Sequence, residues 1–188
     1  MVANLNPQHR WTRDDLALFP DNGNRYEIID GELFVTRAPH WQHQKVLTRL
    51  CKALPNHNAE NQPGEVLTTP GLVFAGEDNV IPDLVWISDE LLATCVDESG
   101  HFTAAPELVV EVLSQTPRDI ARDRQVKLKL YSRVGVREYW IIDWQQQRVE
   151  LYRRSQASLE QVSTLFAEDV LTSPLFPDFT LAVADIFG

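Results

Sequence analysis

Three rhythms of apolar and polar positions run along this chain, and each predicts a kind of element. Val46, Leu47, Leu50 and Leu54 recur at spacings of three and four, which predicts a helix over residues 39–54 with those side chains as its buried stripe. Two β-prone runs, 25–29 and 32–36, flank Asp30-Gly31. That dipeptide suits a two-residue hairpin turn, whose central residues both need positive φ. Residues 108–113 form a continuous apolar run interrupted by Glu111 alone, as expected of a strand buried on both faces. Further strands are expected at 65–69 and 72–74 around Pro70-Gly71, then at 80–87, 136–143 and 148–153. Pro82 removes a ladder donor, so the strand over 80–87 lies at an edge or carries a bulge there. A short helix follows Thr12 and stops at Pro20, and a second, capped by Ser88, covers 89–92. A longer one runs over 118–133, opened by Thr116-Pro117 and ended by Gly135. Residues 1–10 read as a loose polar terminus, 56–63 as a polar loop, 94–105 as an excursion and 155–161 as a polar patch. The remainder to residue 187 reads as accessory packing. The order predicts one α/β domain over residues 1–188, with a central mixed β-sheet flanked by helices and an N-terminal β-hairpin.

Size and composition narrow the class without naming a function. A chain of 188 residues suits one well-cored domain. Its 27 acidic residues outnumber 17 basic ones, for a net charge of -10, which argues against broad, sequence-independent nucleic-acid binding. Cys51 and Cys95 are too few for a disulfide framework or a cysteine zinc site, and read as thiols in a reducing compartment. No signal pattern opens the chain and no apolar run reaches a membrane span, so a cytoplasmic protein without membrane contact is expected.

The candidate chemistry lies where the patterns are broken. Strand alternation puts Asp83 on the face of Ile81, Val85 and Ile87, and Glu111 on the face of Val109 and Leu113. Both carboxylates therefore project among apolar side chains, and they converge if their strands pair. Close carboxylates repel and take raised pKa values unless a cation lies between them. Mg²⁺ is commonly held by one or two carboxylates with water and phosphate completing the shell. Taken singly, each acid fits equally well as a sheet-end cap or an arginine partner. The helix over 118–133 adds to the case. At about 100° per residue, Ile120, Val126, Leu128, Leu130, Tyr131 and Val134 share one arc, with Asp123 and Lys127 inside it. Arg122, Gln125, Lys129, Ser132 and Arg133 take the opposite face, although Arg124 also falls inside the arc. His43 lies on or beside the inward face of the first long helix, either as a hydrogen-bonded core residue or as a catalyst. His40, three residues earlier, lacks a third ligand nearby and is read as chance.

These residues also carry a resemblance. In one order come Tyr26-Glu27-Ile28-Ile29-Asp30-Gly31-Glu32-Leu33, His43, Pro82-Asp83-Leu84-Val85, Glu111-Val112-Leu113-Ser114, Asp123 with Lys127 and Tyr131, and Gly135-Val136-Arg137-Glu138-Tyr139-Trp140. From about residue 11 to 186 the chain resembles the Uma2 family of restriction-endonuclease-like proteins, within the PD-(D/E)XK nuclease superfamily. The resemblance implies a restriction-endonuclease-like fold, with Asp83 as the aspartate of the first motif and Glu111 as the acid of the second. The superfamily's usual lysine, two residues after that acid, is replaced by Leu113, and in the Uma2 pattern the next helix supplies it, here Lys127. By the same likeness, the Val112 carbonyl joins Asp83 and Glu111 as a metal ligand. Gln115 stands where the family tends to have proline, which alters a loop more than the chemistry.

The function expected from this resemblance is Mg²⁺-dependent endonucleolytic hydrolysis of phosphodiester bonds, with Mn²⁺ as a substitute ion. The expected substrate is nucleic acid, DNA above RNA, and the expected assembly a homodimer. Lys127 would orient the attacking water or stabilise transition-state charge, with Asp123 as its partner. Glu32 and His43 are further candidates near the same site. The acidic net charge is offset locally, since residues 118–137 hold seven basic residues against two acidic. Arg122, Lys129 and Arg133 could face a phosphate backbone or simply form a solvated helix face. Two other readings remain open: a catalytically idle binding or dimerisation module on the same fold, and a small-molecule phosphodiesterase using the same residues.

Overall fold

A computed structural model describes residues 9–54 and 63–188. Of the loose terminus expected over 1–10 and the polar loop expected over 56–63, residues 1–8 and 56–62 lie outside the described residues. In chain order the elements are α1 (Arg13–Leu16), β1 (Arg25–Ile29), β2 (Glu32–Thr36), α2 (Trp41–Ala53), β3 (Gly64–Thr68), β4 (Leu72–Val73), β5 (Asn79–Val80), β6 (Leu84–Ser88) and α3 (Asp89–Cys95). There follow β7 (Leu108–Val112), α4 (Pro117–Ala121), a π-helical segment (Arg122–Lys127), α5 (Leu128–Val134), β8 (Glu138–Asp143), β9 (Arg148–Ser155), β10 (Ser158–Leu165), β11 (Val170–Ser173), β12 (Phe176–Ala182) and α6 (Val183–Phe187). The class is the expected one, α/β with a mixed central sheet and helices on both faces. None of the described helices is long and apolar enough to cross a membrane.

The central sheet has six strands in the order β10-β9-β8-β7-β6-β3. Among its described strands only β7 and β8 run parallel, joined by the crossover through α4, the π-helical segment and α5. The other neighbours are antiparallel. Alternation along β6, β7 and β8 divides the core in two. Leu84, Trp86, Leu108, Val110, Trp140 and Ile142 pack with Val46, Leu47 and Leu50 of α2 and Val183 and Ile186 of α6. Val85, Ile87, Val109, Tyr139 and Ile141 pack on the other face with Leu130 and Tyr131 of the crossover.

A second, four-stranded antiparallel sheet, β2-β1-β5-β4, holds the N-terminal hairpin. Its turn is the expected one, with φ of +53° at Asp30 and +80° at Gly31. The strand expected over 80–87 is not continuous. It breaks across residues 81–83, leaving β5 in the small sheet and β6 inside the large one. Pro82, which has no N–H to give, falls in that break, so neither an edge strand nor a bulge is needed. The polar patch over 155–161 is likewise a β-hairpin joining β9 to β10, turned at Gln156 with φ of +54°. Its outer strand is an exposed edge, and such a strand shows little apolar alternation.

Candidate active site

Both expected acids come to one end of the central sheet. Leu84 pairs with Val110, so the residue before β6 meets the C-terminal end of β7. Asp83, outside the ladder, receives the backbone N–H of Val112 at Oδ2 over 2.9 Å. His43 Nε2 lies 3.0 Å from the same oxygen, and Arg25 donates to Oδ1 over 2.8 Å. Burial works against the Asp83 charge, but the His43 ring and the Arg25 guanidinium outweigh it and hold the carboxyl well below the usual carboxylate range.

Glu111 projects from the opposite edge of the same corner. Its Oε1 accepts from Lys127 Nζ over 2.8 Å and from the Tyr131 hydroxyl over 2.9 Å. Among the described residues no hydrogen bond reaches Oε2. Lys127 also lies 2.9 Å from Glu27 Oε1, which accepts the Ile81 N–H over 2.8 Å. Lys127, Glu27 and Glu111 are each no more than 2% exposed. Burial, opposed by Lys127 and reinforced by Asp83, Asp123 and Glu27, pushes Glu111 up to about 8. Burial disfavours the Lys127 ammonium too, but Glu111, Glu27 and Asp123 more than compensate and keep it charged. These directions agree with the charge count. Four buried carboxylates, Asp83, Glu27, Glu111 and Asp123, face three permanent cations, Arg25, Arg122 and Lys127. Burial raises both Glu111 and Asp123, so the proton that balances the excess is shared between these two acids.

The crossover helix corrects the reading drawn from a regular helical wheel. Residues 122–127 are π-helical, so residues five apart stack where an α-helix would separate them by about 140°. Arg122 therefore turns inward beside Lys127 instead of facing solvent. It reaches Asp123 at 2.8 Å, Thr36 Oγ1 at 2.6 Å and Glu27 at 3.7 Å. Asp123 is buried and bonded to Arg122; it acts on Lys127 through charge and is not its hydrogen-bond partner. Of the two other proposed phosphate-facing cations, Arg133 is committed to Asp30 and Asp78, while Lys129 stays largely exposed, 3.6 Å from Asp30. Arg124, which the wheel also put inside the apolar arc, bridges to Asp143 and Glu150 and so ties the π-helical segment to β8 and β9.

Glu32 is the sequence candidate that the fold places elsewhere. Cross-strand pairing puts it on the same face as Arg25 and Glu27, but opposite Ile29 at the turn end, where it is exposed and away from the cavity. Two charged residues of that face do reach the site, Arg25 and Glu27, and both were missed. Their signal was present as opposite charges two apart in β1, but an outward-facing strand has the same pattern.

A cavity of about 410 Å³ opens over Arg25, Glu27, His43, Asp83, Glu111 and Lys127. The donor set fits a hard divalent cation in the sparse manner of Mg²⁺ sites, with two carboxylate side chains and the rest left to water and phosphate. Among the described residues no cluster of three or more His, Cys, Asp or Glu is arranged to hold a metal by itself.

A sequence model of the Uma2 family, described as "Putative restriction endonuclease", matches residues 13–184. The chain belongs to the Uma2 family. A solved structure shares the fold. The crystal structure of "a putative nuclease belonging to DUF820 from Anabaena variabilis ATCC 29413" superposes with a TM-score of 0.76 at 19% identity, covering 94% of this chain and 97% of that one. Comparison with curated proteins gives no match. Within this Uma2 chain, Asp83, Glu111, Val112, Lys127 and His43 are among the residues that the sequence singled out and that line one cavity.

Proposed function

We propose that this Uma2 chain is a metal-dependent nuclease that hydrolyses phosphodiester bonds of DNA, with Mg²⁺ or Mn²⁺ held by Asp83 and Glu111 and, as a third ligand, the Val112 carbonyl. The observation that carries the reading is the buried ammonium of Lys127, 2.8 Å from Glu111 at the base of a cavity that Asp83 also lines. A lysine from the crossover helix thus stands beside the second acid, in place of the one absent at Leu113. The bound ion would polarise the phosphate and lower the pKa of a water. Asp83 is held by three donors, of which His43 and the Val112 N–H fix its orientation while Arg25 would give way to an incoming ion. Glu111, anchored through Oε1, keeps Oε2 for a ligand. Lys127, steadied by Glu27, supplies positive charge where the phosphorane-like transition state becomes more negative. His43, hydrogen-bonded to Asp83, orients that carboxylate.

Plasmid cleavage in Mg²⁺ and in Mn²⁺ tests this, comparing the wild type with Asp83→Asn and Lys127→Ala after circular dichroism has checked their folding. The expected result is cleavage by the wild type alone. Equal cleavage by all three proteins would mean a contaminating nuclease and would remove the proposal.

A further inference from the structure

Beyond the acids, the rim of the cavity carries an aromatic pair that the hydrolytic chemistry does not use. His40 and Trp144 both line it, stacked with ring centroids 5.1 Å apart and planes within 2° of parallel. Neither ring is loosely held. Trp144 Nε1 donates to the Leu113 carbonyl over 2.9 Å, and His40 Nδ1 caps α2 by accepting the Gln42 N–H over 3.3 Å. Leu113 is two residues beyond Glu111, so the stack is anchored beside the second acid. His40 is exposed, and Trp41, 64% exposed, adds a third ring 5.7 Å from it. On the same rim Arg37 and Arg118 are exposed, and neither forms an ion pair among the described residues. In a chain of net charge -10, two uncommitted arginines beside a flat aromatic stack mark a local preference for an anion with a planar group.

We infer that this rim is a nucleobase-stacking subsite, in which His40 on Trp144 takes the base of an unpaired nucleotide while Arg37 and Arg118 meet its flanking phosphates. The inference rests on the nuclease reading and names its substrate class as single-stranded or locally unpaired nucleic acid. One observation and one general constraint favour an unpaired nucleotide over continuous duplex. Asp83 and Glu111 are only 4% and 2% exposed inside a cavity of about 410 Å³, a size typical of small-ligand sites and suited to a nucleotide. A base within a duplex, moreover, has both faces covered by its neighbours and has none to offer the His40 ring. Stacking on aromatic side chains joined to backbone contacts by cations is how proteins hold single strands with little sequence preference.

The test is fluorescence anisotropy in Ca²⁺ with three labelled probes, checked on gels to be intact: a short single strand, its duplex, and the same strand with consecutive abasic sites. The variant is His40→Asn, which keeps a helix-capping acceptor and removes the ring. The wild type is expected to bind the intact single strand more tightly than the duplex. Abasic substitution and His40→Asn should each weaken single-strand binding about fivefold or more, the lower bound for losing one stacked base. Together they should cost no more than either alone, because both remove the same contact. Binding of the intact strand that is unchanged by His40→Asn, or indifferent to abasic sites, overturns the subsite and leaves the nuclease reading standing. Absence of binding to every probe overturns both.

Discussion

Lys127→Met is the substitution whose consequence follows most directly from the buried charges. Methionine keeps an unbranched, apolar side chain of comparable length, so packing changes little. What is lost is the cation 2.8 Å from Glu111 and 2.9 Å from Glu27, at a position 1% exposed. Removing one partner from a buried ion pair costs about 3–5 kcal/mol, because the remaining charge is left without solvent or counterion. Against a total stability of about 5–15 kcal/mol, that is a large fraction. The loss also has a pH signature. Wild-type Glu111, pushed up to about 8, ionises beside Lys127 as the pH rises past that value. In the variant the same acid faces Glu27 with no ammonium between them and resists ionisation further. The stability difference should therefore be larger at pH 9 than at pH 6. Urea unfolding in EDTA, followed by tryptophan fluorescence and circular dichroism, measures it, with coincident transitions as the check on two-state behaviour. Lys127→Met/Glu27→Gln should regain part of the loss by removing one orphaned charge. A Lys127→Met variant within about 1 kcal/mol of wild type at both pH values would refute the reasoning, since it would mean that the ammonium does not hold the acids together.

Glu111→Gln, which mimics the neutral acid, should gain in melting temperature relative to wild type as the pH rises from about 4.5 to about 8. The raised folded pKa means that wild-type stability from this group is complete below the unfolded value and lost through the folded one. A pH-independent difference in thermal scans from pH 4 to 9 would contradict that assignment. Glu27→Gln should lower nucleic-acid cleavage about a hundredfold by releasing Lys127, as a misplaced catalytic group does. Glu32→Gln, at the exposed turn end of the same hairpin face, should leave cleavage unchanged in the same assay. Gly135→Ala should cost about 1–2 kcal/mol in urea unfolding, because φ is +103° there while an added Cβ would meet nothing within 4 Å.

The apolar rhythm made most of the architecture legible. Val46, Leu47 and Leu50 lie on the buried face of α2, Asp30-Gly31 closes the hairpin, and residues 108–112 form a strand buried on both faces. The acids Asp83 and Glu111 were legible for the same reason, as charges set where apolar side chains belong. The geometry of the crossover was not, since a wheel drawn at α-helical pitch cannot show a change of pitch. Arg122 thus read as a solvent-facing cation, and its contact with Asp123, adjacent in sequence, had no periodic signature. Arg25 and Glu27 were hidden for another reason. A β-strand with polar residues on alternate positions reads as half-exposed, and only the tertiary placement of the hairpin against the crossover shows that this polar face is covered. The strand drawn through Pro82 failed because an apolar run does not record which sheet each half joins.

The central claim is that Asp83 and Glu111 form one cation site, and a crystal of the wild type soaked in Mn²⁺ tests it most directly. Arg25 now donates to Asp83 over 2.8 Å, and an incoming ion competes with it for the same carboxylate. The account predicts an anomalous peak bound by both carboxylates, with the Arg25 guanidinium withdrawn from Asp83. A crystal with no peak between the two acids, and Arg25 still on Asp83 in millimolar Mn²⁺, would contradict it.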